Sequence, residues 1–146
     1  MREALAEARK AFEKEEVPVG AVVVSEGEII GRGHNLRESL QDPAAHAEMI
    51  AIGEASRRIG SFRLVDADVY VTLEPCLMCA GLMLNARVKR LFFGCRDPKA
   101  GAISSLYSVL DDARLNHRVE VAEGLLAEES SALLKLFFER LRGAGF

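Results

Sequence analysis

The chain has 146 residues, enough for one compact domain with a sizeable core, and residues 1–146 are taken as a single domain. Nearly half of them, 49%, are hydrophobic, which excludes a disordered chain, and no apolar run reaches the roughly eighteen residues of a membrane span. A formal net charge of −3 does not advertise a nucleic-acid partner, although local basic patches remain open to it.

Residues 2–15 read as an amphipathic helix, with Ala4, Leu5, Ala8, Ala11 and Phe12 near one face. This start has no apolar h-region of a secretory leader, so the expected compartment is the cytoplasm. Pro18 ends the helix. Val19 to Ser25 is a nearly continuous apolar run, as expected of a strand covered on both faces. Glu26-Gly27 makes a tight turn, and Glu28 to His34 returns as the second strand of a hairpin. Asn35 to Ala45 has loop composition, and a helix is expected from Ala44 to Ile59 with His46 and Glu48 in its first turn. Asp68 to Leu73 reads as a strand closed by Glu74-Pro75, Cys76 to Ala86 as a short helix, and Lys89 to Cys95 as a strand. A Gly-containing loop over 97–105 leads to a helical turn near Leu106, then a short strand from Arg118 to Ala122. Leu125 to Leu141 closes the chain as a helix with Leu126, Leu133, Leu134, Phe137 and Leu141 as its apolar stripe. The order is α-β-β-α-β-α-β-β-α, an α/β layered domain, and strands separated by helices imply parallel pairing.

Three cysteines is an odd count, and two stand in Cys76-Leu77-Met78-Cys79. Without a secretory leader, such a pair favours metal or redox chemistry over a disulfide framework. Thirty residues upstream, His46-Ala47-Glu48 opens a helix. One imidazole and two thiolates can hold zinc and leave a fourth tetrahedral position open, the arrangement of catalytic rather than structural zinc. Cys76 and Cys79, three apart at a helix start, share one face, and the helix N-terminus favours the thiolate. Zinc lowers the pKa of bound water to about 7, and Glu48 stands close enough to move that water's proton. Cys95 is the competing fourth ligand of a closed structural site, but it ends an apolar strand, where free cysteine packs as a small hydrophobe. His34, His117 and Glu74 are read as structural. Arg57, Arg58, Arg63, Arg87, Lys89 and Arg90 can follow phosphates or form a solvated face. Phe92-Phe93 is read as core.

His46-Ala47-Glu48 with Pro75-Cys76-x-x-Cys79 resembles the signature of the zinc-dependent cytidine/deoxycytidylate deaminase superfamily. Wider segments resemble its bacterial tRNA-specific adenosine deaminase family. They are Glu16-Val17-Pro18-Val19-Gly20-Ala21, Asp42-Pro43 ahead of the His motif, Tyr70-Val71-Thr72-Leu73-Glu74 ahead of the Cys motif, Phe93-Gly94-x-Arg96-Asp97-x-Lys99, and Asn116-His117-Arg118. The resemblance runs from about residue 4 to 141. It implies a three-layer cytidine-deaminase-like fold with a five-stranded mixed sheet flanked by helices. It also implies one Zn2+ per subunit on His46, Cys76 and Cys79, with Glu48 as proton shuttle. The implied reaction converts the wobble adenosine of a tRNA anticodon stem-loop to inosine, in a homodimer. Asn35 and the backbone near Ala47 would meet the inserted base, Asp97 and Lys99 the RNA, and Phe138 or its neighbour a flanking nucleotide. The open alternatives are a guanine, cytosine or nucleoside deaminase of the same superfamily, and a zinc-stabilised RNA-binding module without catalysis.

Overall fold

A computed structural model describes residues 1–143; residues 144–146 of the expected domain lie outside the described residues. The elements are α1 (Arg2–Glu13), β1 (Gly20–Ser25), β2 (Glu28–His34), α2 (Arg37–Leu40), α3 (Ala47–Ile59), β3 (Asp68–Leu73), α4 (Leu77–Asn85), β4 (Arg90–Cys95), a 3-10 turn at Val109–Asp111, β5 (Glu120–Glu123) and α5 (Ala127–Gly143). The β1–β2 hairpin closes through Glu26 and Gly27, both at positive φ, 51° and 76°. Two left-handed residues match the twist of the strands they join.

The five strands form one mixed sheet in the order β2-β1-β3-β4-β5. β1 is antiparallel to both β2 and β3, whereas β3, β4 and β5 run parallel. The expectation of parallel pairing therefore holds for β3 and β4, joined through α4. It does not hold as adjacency for β2 and β3, because β1 lies between these two strands of common direction. The crossover α3 spans that gap. The segment Arg37–Leu40, expected as loop, makes one helical turn, and the turn expected near Leu106 falls at Val109–Asp111.

Side-chain alternation along the strands sorts the helices into two layers. On one face, a Cβ at Gly20 would meet the Ala4 carbonyl oxygen at 2.0 Å, so α1 packs backbone to backbone on β1. Phe12 of α1 meets Phe137 of α5 edge to face at 6.0 Å between centroids. On the other face, a Cβ at Gly31 or Gly33 of β2 would meet the carbonyl oxygens of Ala51 and Ala47 at 2.1 and 2.5 Å. These two glycines let α3 settle onto the sheet, and that close approach sets where its first turn lies. Ala51, Ile52 and Ala55 of α3 and Ala80 and Met83 of α4 pack with Val69, Val71, Leu91 and Phe93 in one buried cluster. β3 and β4 both deliver the chain at their carboxyl ends to one side of the sheet, where parallel α/β sheets place their ligands.

Candidate active site

His46 and Cys76 each stand one residue ahead of a helix rather than inside its first turn. Their backbones are extended, φ −79° and ψ 155° at His46 and φ −78° and ψ 177° at Cys76. This corrects the placement of His46 within the first turn. An N-cap residue points its side chain across the helix mouth, so the starts of α3 and α4 aim both side chains at one spot. Cys79 joins them from the first turn of α4. His46 Nδ1 lies 3.6 Å from both the Cys76 and the Cys79 sulfur, and all three donor atoms fall within 4.8 Å of one another. Zinc–sulfur bonds of about 2.3 Å and zinc–nitrogen bonds of about 2.0–2.1 Å, set at a tetrahedral angle, separate N and S by about 3.6 Å. The donor set and its spacing fit that ion.

The protons of the cluster are consistent with a cation site. The bond from Cys79 and the neighbouring His46 bring the Cys76 thiol down to about 3. Cys79 is pushed up, because its proton is held in the bond to Cys76, in a buried position beside Glu48. The contact with Cys76 raises His46, with Glu48 adding to it. The protons shared among these groups are those a dication displaces on binding.

Glu48 sits in the first turn of α3 at 4% exposure. Burial raises its carboxyl above the ordinary range, only partly offset by its own amide, His46 and Cys79. It lines a cavity of about 200 Å³ together with His46, Cys76, Asn35, Ala47 and Asp97. Asn35 is anchored twice, its Nδ2 donating to the Val17 carbonyl at 3.2 Å and its Oδ1 accepting the Arg37 amide at 3.2 Å. One amide hydrogen and one lone pair remain for a ligand. Asp97 accepts the amides of Lys99 and Ala100 and so shapes its own loop. Lys99 is exposed and lies outside the cavity lining.

A second hollow, about 670 Å³, adjoins the cavity and shares Val17, Asn35 and Arg37 with it. Phe12, Lys14, Phe137 and Arg140 form its far wall. Of the aromatic pair in α5, Phe137 lines this groove at 5% exposure, while Phe138 stands outside the lining at 42%.

Several residues hold the site from outside the donor group. Glu74, 2% exposed, accepts the amides of Asp97, Ile103, Ser104 and Ser105 and the Ser105 hydroxyl. These donors outweigh burial and hold its carboxyl at about 2. The 97–105 loop is thereby tied to the residue two before Cys76, a structural role of the kind expected. Glu16 and Arg37 lie outside the expected site residues; the sequence signal for the first is a Glu two residues before the Pro that precedes β1. Cys95 lies outside the donor group and donates to the Thr72 carbonyl at 3.7 Å. His34 bonds Glu7 and Lys14, and His117 the Val88 carbonyl.

The six basic residues considered for phosphates collect at the other end of the molecule. Arg57 and Arg58 lie in the last turn of α3, Lys89 just precedes β4 and Arg90 opens it. The thirteen-residue length of α3 puts its last turn roughly 14 Å from its first. Arg90 is bidentate to Asp68. Among the described residues Arg37 is the one Lys or Arg that lines the cavity, and Lys14 and Arg140 join it in the lining of the second hollow.

Residues 1–142 match the family described as MafB19-like deaminase. The tRNA-specific adenosine deaminase of Bacillus subtilis (strain 168) is 52% identical over 142 residues, 97% of this chain and 88% of that protein. A structure solved in a study of A-to-I editing by tRNA:A34 deaminases at the wobble position of transfer RNA superposes with a TM-score of 0.88. It is 44% identical, over 91% of this chain and 96% of that one. A guanine deaminase from Nitrosomonas europaea shares the fold, with a TM-score of 0.80 at 22% identity over 92% of this chain and 80% of that one.

Proposed function

This chain belongs to the tRNA-specific adenosine deaminases within the MafB19-like deaminase family, and on that premise we propose that it hydrolyses the wobble adenosine of a tRNA anticodon loop to inosine, releasing ammonia. The observation that carries the reading is Glu48: a buried carboxyl with a raised proton affinity, lining one cavity with His46 and Cys76, which with Cys79 behind them stand at tetrahedral spacing. His46, Cys76 and Cys79 would hold one Zn2+ per subunit, and that ion would supply an activated water as the nucleophile. Glu48 takes the proton of the attacking water and delivers it to the ring nitrogen next to the reacting carbon. It then carries a second proton to the departing amine. A carboxyl whose hold on a proton is raised above the ordinary range suits that transfer better than a fixed anion does. Asn35, pinned by Val17 and Arg37, orients the base or its sugar with its remaining hydrogen and lone pair. Ala47 closes the cavity behind the base. Asp97 and Lys99 meet the RNA from the loop held by Glu74.

The adjoining groove, walled by Phe12 and Phe137, receives a nucleotide flanking the adenosine. A homodimer is supported by apolar side chains left exposed at the start of α4 and in the loop bonded to Glu74, among them Leu77, Leu106 and Tyr107. No helix among the described residues is long and apolar enough to cross a membrane, and we place the protein in the cytoplasm beside its tRNA substrate. The deciding experiment compares an anticodon stem-loop with free adenosine, guanine, cytosine and cytidine. Inosine in the stem-loop is the expected product; ammonia from the free compounds alone overturns the tRNA reading.

A further inference from the structure

A polynucleotide that places one base in the catalytic cavity and its neighbour in the adjoining groove must lay its linking phosphodiester over the residues the two hollows share. Those are Val17, Asn35 and Arg37. Arg37 is the only cation of the three, and among the described residues its guanidinium has no ion-pair partner within 4.0 Å. It stands on α2, a single four-residue turn, too short to hold its own shape in water.

What holds that turn comes from the other side of the groove. Glu16, between α1 and β1, is 1% exposed. Its two carboxylate oxygens accept the amide of Glu38 at 3.0 Å and the amide of Ser39 at 2.6 Å. Asn35 accepts the amide of Arg37 itself. Three successive amides of one turn are thus claimed by two side chains from outside it. Burial opposes the Glu16 charge, but the Ser39 and Glu38 donors win and hold the carboxyl below its ordinary range. Both Glu16 oxygens are turned to backbone amides, and although the Arg37 charge is felt at that carboxylate, the two make no ion pair within 4.0 Å, so the guanidinium is left available to an external anion.

We propose that Arg37 binds the phosphodiester joining the reacting nucleotide to its neighbour, and that Glu16 is a positioning residue which holds Arg37 on the ridge between cavity and groove. The inference rests on the polynucleotide reading above. Arginine is suited to this because its planar fork matches two phosphate oxygens.

The test uses the zinc-loaded protein, an anticodon stem-loop as substrate, and four variants: Arg37→Ala, Arg37→Lys, Glu16→Gln and the double variant. Arg37→Ala alters an exposed side chain, so zinc content and melting temperature are expected to stay as in the parent. KM for the stem-loop should rise about tenfold, with kcat within about twofold. The slope of log affinity against log salt should flatten by about 0.7, the contribution of one single-strand phosphate. Arg37→Lys should restore part of the loss. Glu16→Gln, which keeps shape but turns an N–H group toward one of the two amides, should raise KM similarly. The double variant should be no worse than Arg37→Ala alone, since both remove one contact. An unchanged KM and salt slope in Arg37→Ala overturns the phosphate contact. A Glu16→Gln effect that adds to that of Arg37→Ala, or that changes melting temperature alone, overturns the positioning role. Should Glu16→Gln fail to fold, Ser39→Pro takes its place, because it deletes one of the two donors at an exposed position; an unchanged KM there overturns the positioning role equally. If the parent protein itself leaves the stem-loop untouched, the tRNA reading falls and this inference with it. A parent active on the stem-loop beside an unaffected Arg37→Ala removes the inference alone.

Discussion

Glu48 and Glu74 occupy nearly mirrored places around the metal ligands, one two residues after His46 and the other two before Cys76. Both are almost fully buried, at 4% and 2% exposure. Yet one carboxyl is raised and the other is held at about 2. Burial works the same way on both, against the charged form. The difference is the supply of donors. Glu74 receives four backbone amides and a hydroxyl, whereas Glu48 faces a cavity with little besides its own amide and a thiol. A carboxylate saturated with N–H groups is a fixed anion that organises a loop. One starved of them can exchange a proton, and only the second kind can serve the reaction.

The largest effect should come from removing the exchangeable carboxyl. Glu48→Ala should retain zinc by elemental analysis and lose stem-loop deamination by about 10³-fold or more, within the range of general acid–base catalysis. Zinc bound at full occupancy with turnover intact would end the shuttle assignment. Metal removal should act on the neighbouring residues in a different way. A chelator should abolish activity and lower the melting temperature, because binding energy to His46, Cys76 and Cys79 is also folding energy. Zinc uptake by the stripped protein should release protons, measurable in weak buffer, since Cys79 holds its thiol proton in the metal-free cluster.

The fixed anion should show itself in stability rather than in chemistry. Glu74→Gln leaves several buried donors facing an amide with one acceptor oxygen, at a cost of about 3 kcal/mol by denaturant titration. The folded fraction should keep its zinc. Acid should reproduce this loss in the parent chain. The folded carboxyl lies at about 2, against an ordinary value of 4.5, so Glu74 stabilises above the unfolded value and loses that contribution as pH falls from 4.5 toward 2. The depression corresponds to about 3 kcal/mol. Glu74→Gln should have a flatter stability profile across that window; a profile identical to the parent's would assign the acid sensitivity elsewhere.

These contrasts also mark how far sequence alone reaches. β2 and β3 were legible to the residue, because Glu26-Gly27 and Glu74-Pro75 punctuate them. The donor triad was legible because its spacing is local: Cys76 and Cys79 share one turn, and His46 shares a helix start with Glu48. Strand order was not, since nothing within β3 says that its neighbour is β1 running the other way. The turn Arg37–Leu40 escaped for a related reason. It has no periodicity of its own and is held by Glu16 from more than twenty residues away. The apolar stripe of the last helix already sets Phe137 apart from Phe138, but that Phe137 walls a groove depends on the packing of α1 against α5. Local chemistry reads directly from a chain; donors that arrive from distant segments do not. The sharp difference between Glu48 and Glu74 belongs to the second kind.

The smallest expected effect cuts most cleanly between the two carboxyls, because it reverses sign. In the metal-free protein Glu48 is an anion, or a neutral acid, in a place that resists its charge. Its folded proton affinity lies above the unfolded one, so its contribution to stability is fully present below the unfolded value of 4.5 and is lost as pH rises from there through the higher folded value. Glu48→Gln keeps the shape and removes the charge. In chelator at neutral pH it should therefore raise stability by about 0.5–2 kcal/mol, the size of gain that single stabilising substitutions commonly give, and the gain should vanish below pH 4. Glu74→Gln should lose stability over the same neutral range. Two isosteric changes, each two residues from a zinc ligand, should thus move the melting temperature in opposite directions. If both destabilise the stripped protein, Glu48 is held by donors after all, and a fixed anion at that position leaves the reaction without its proton carrier.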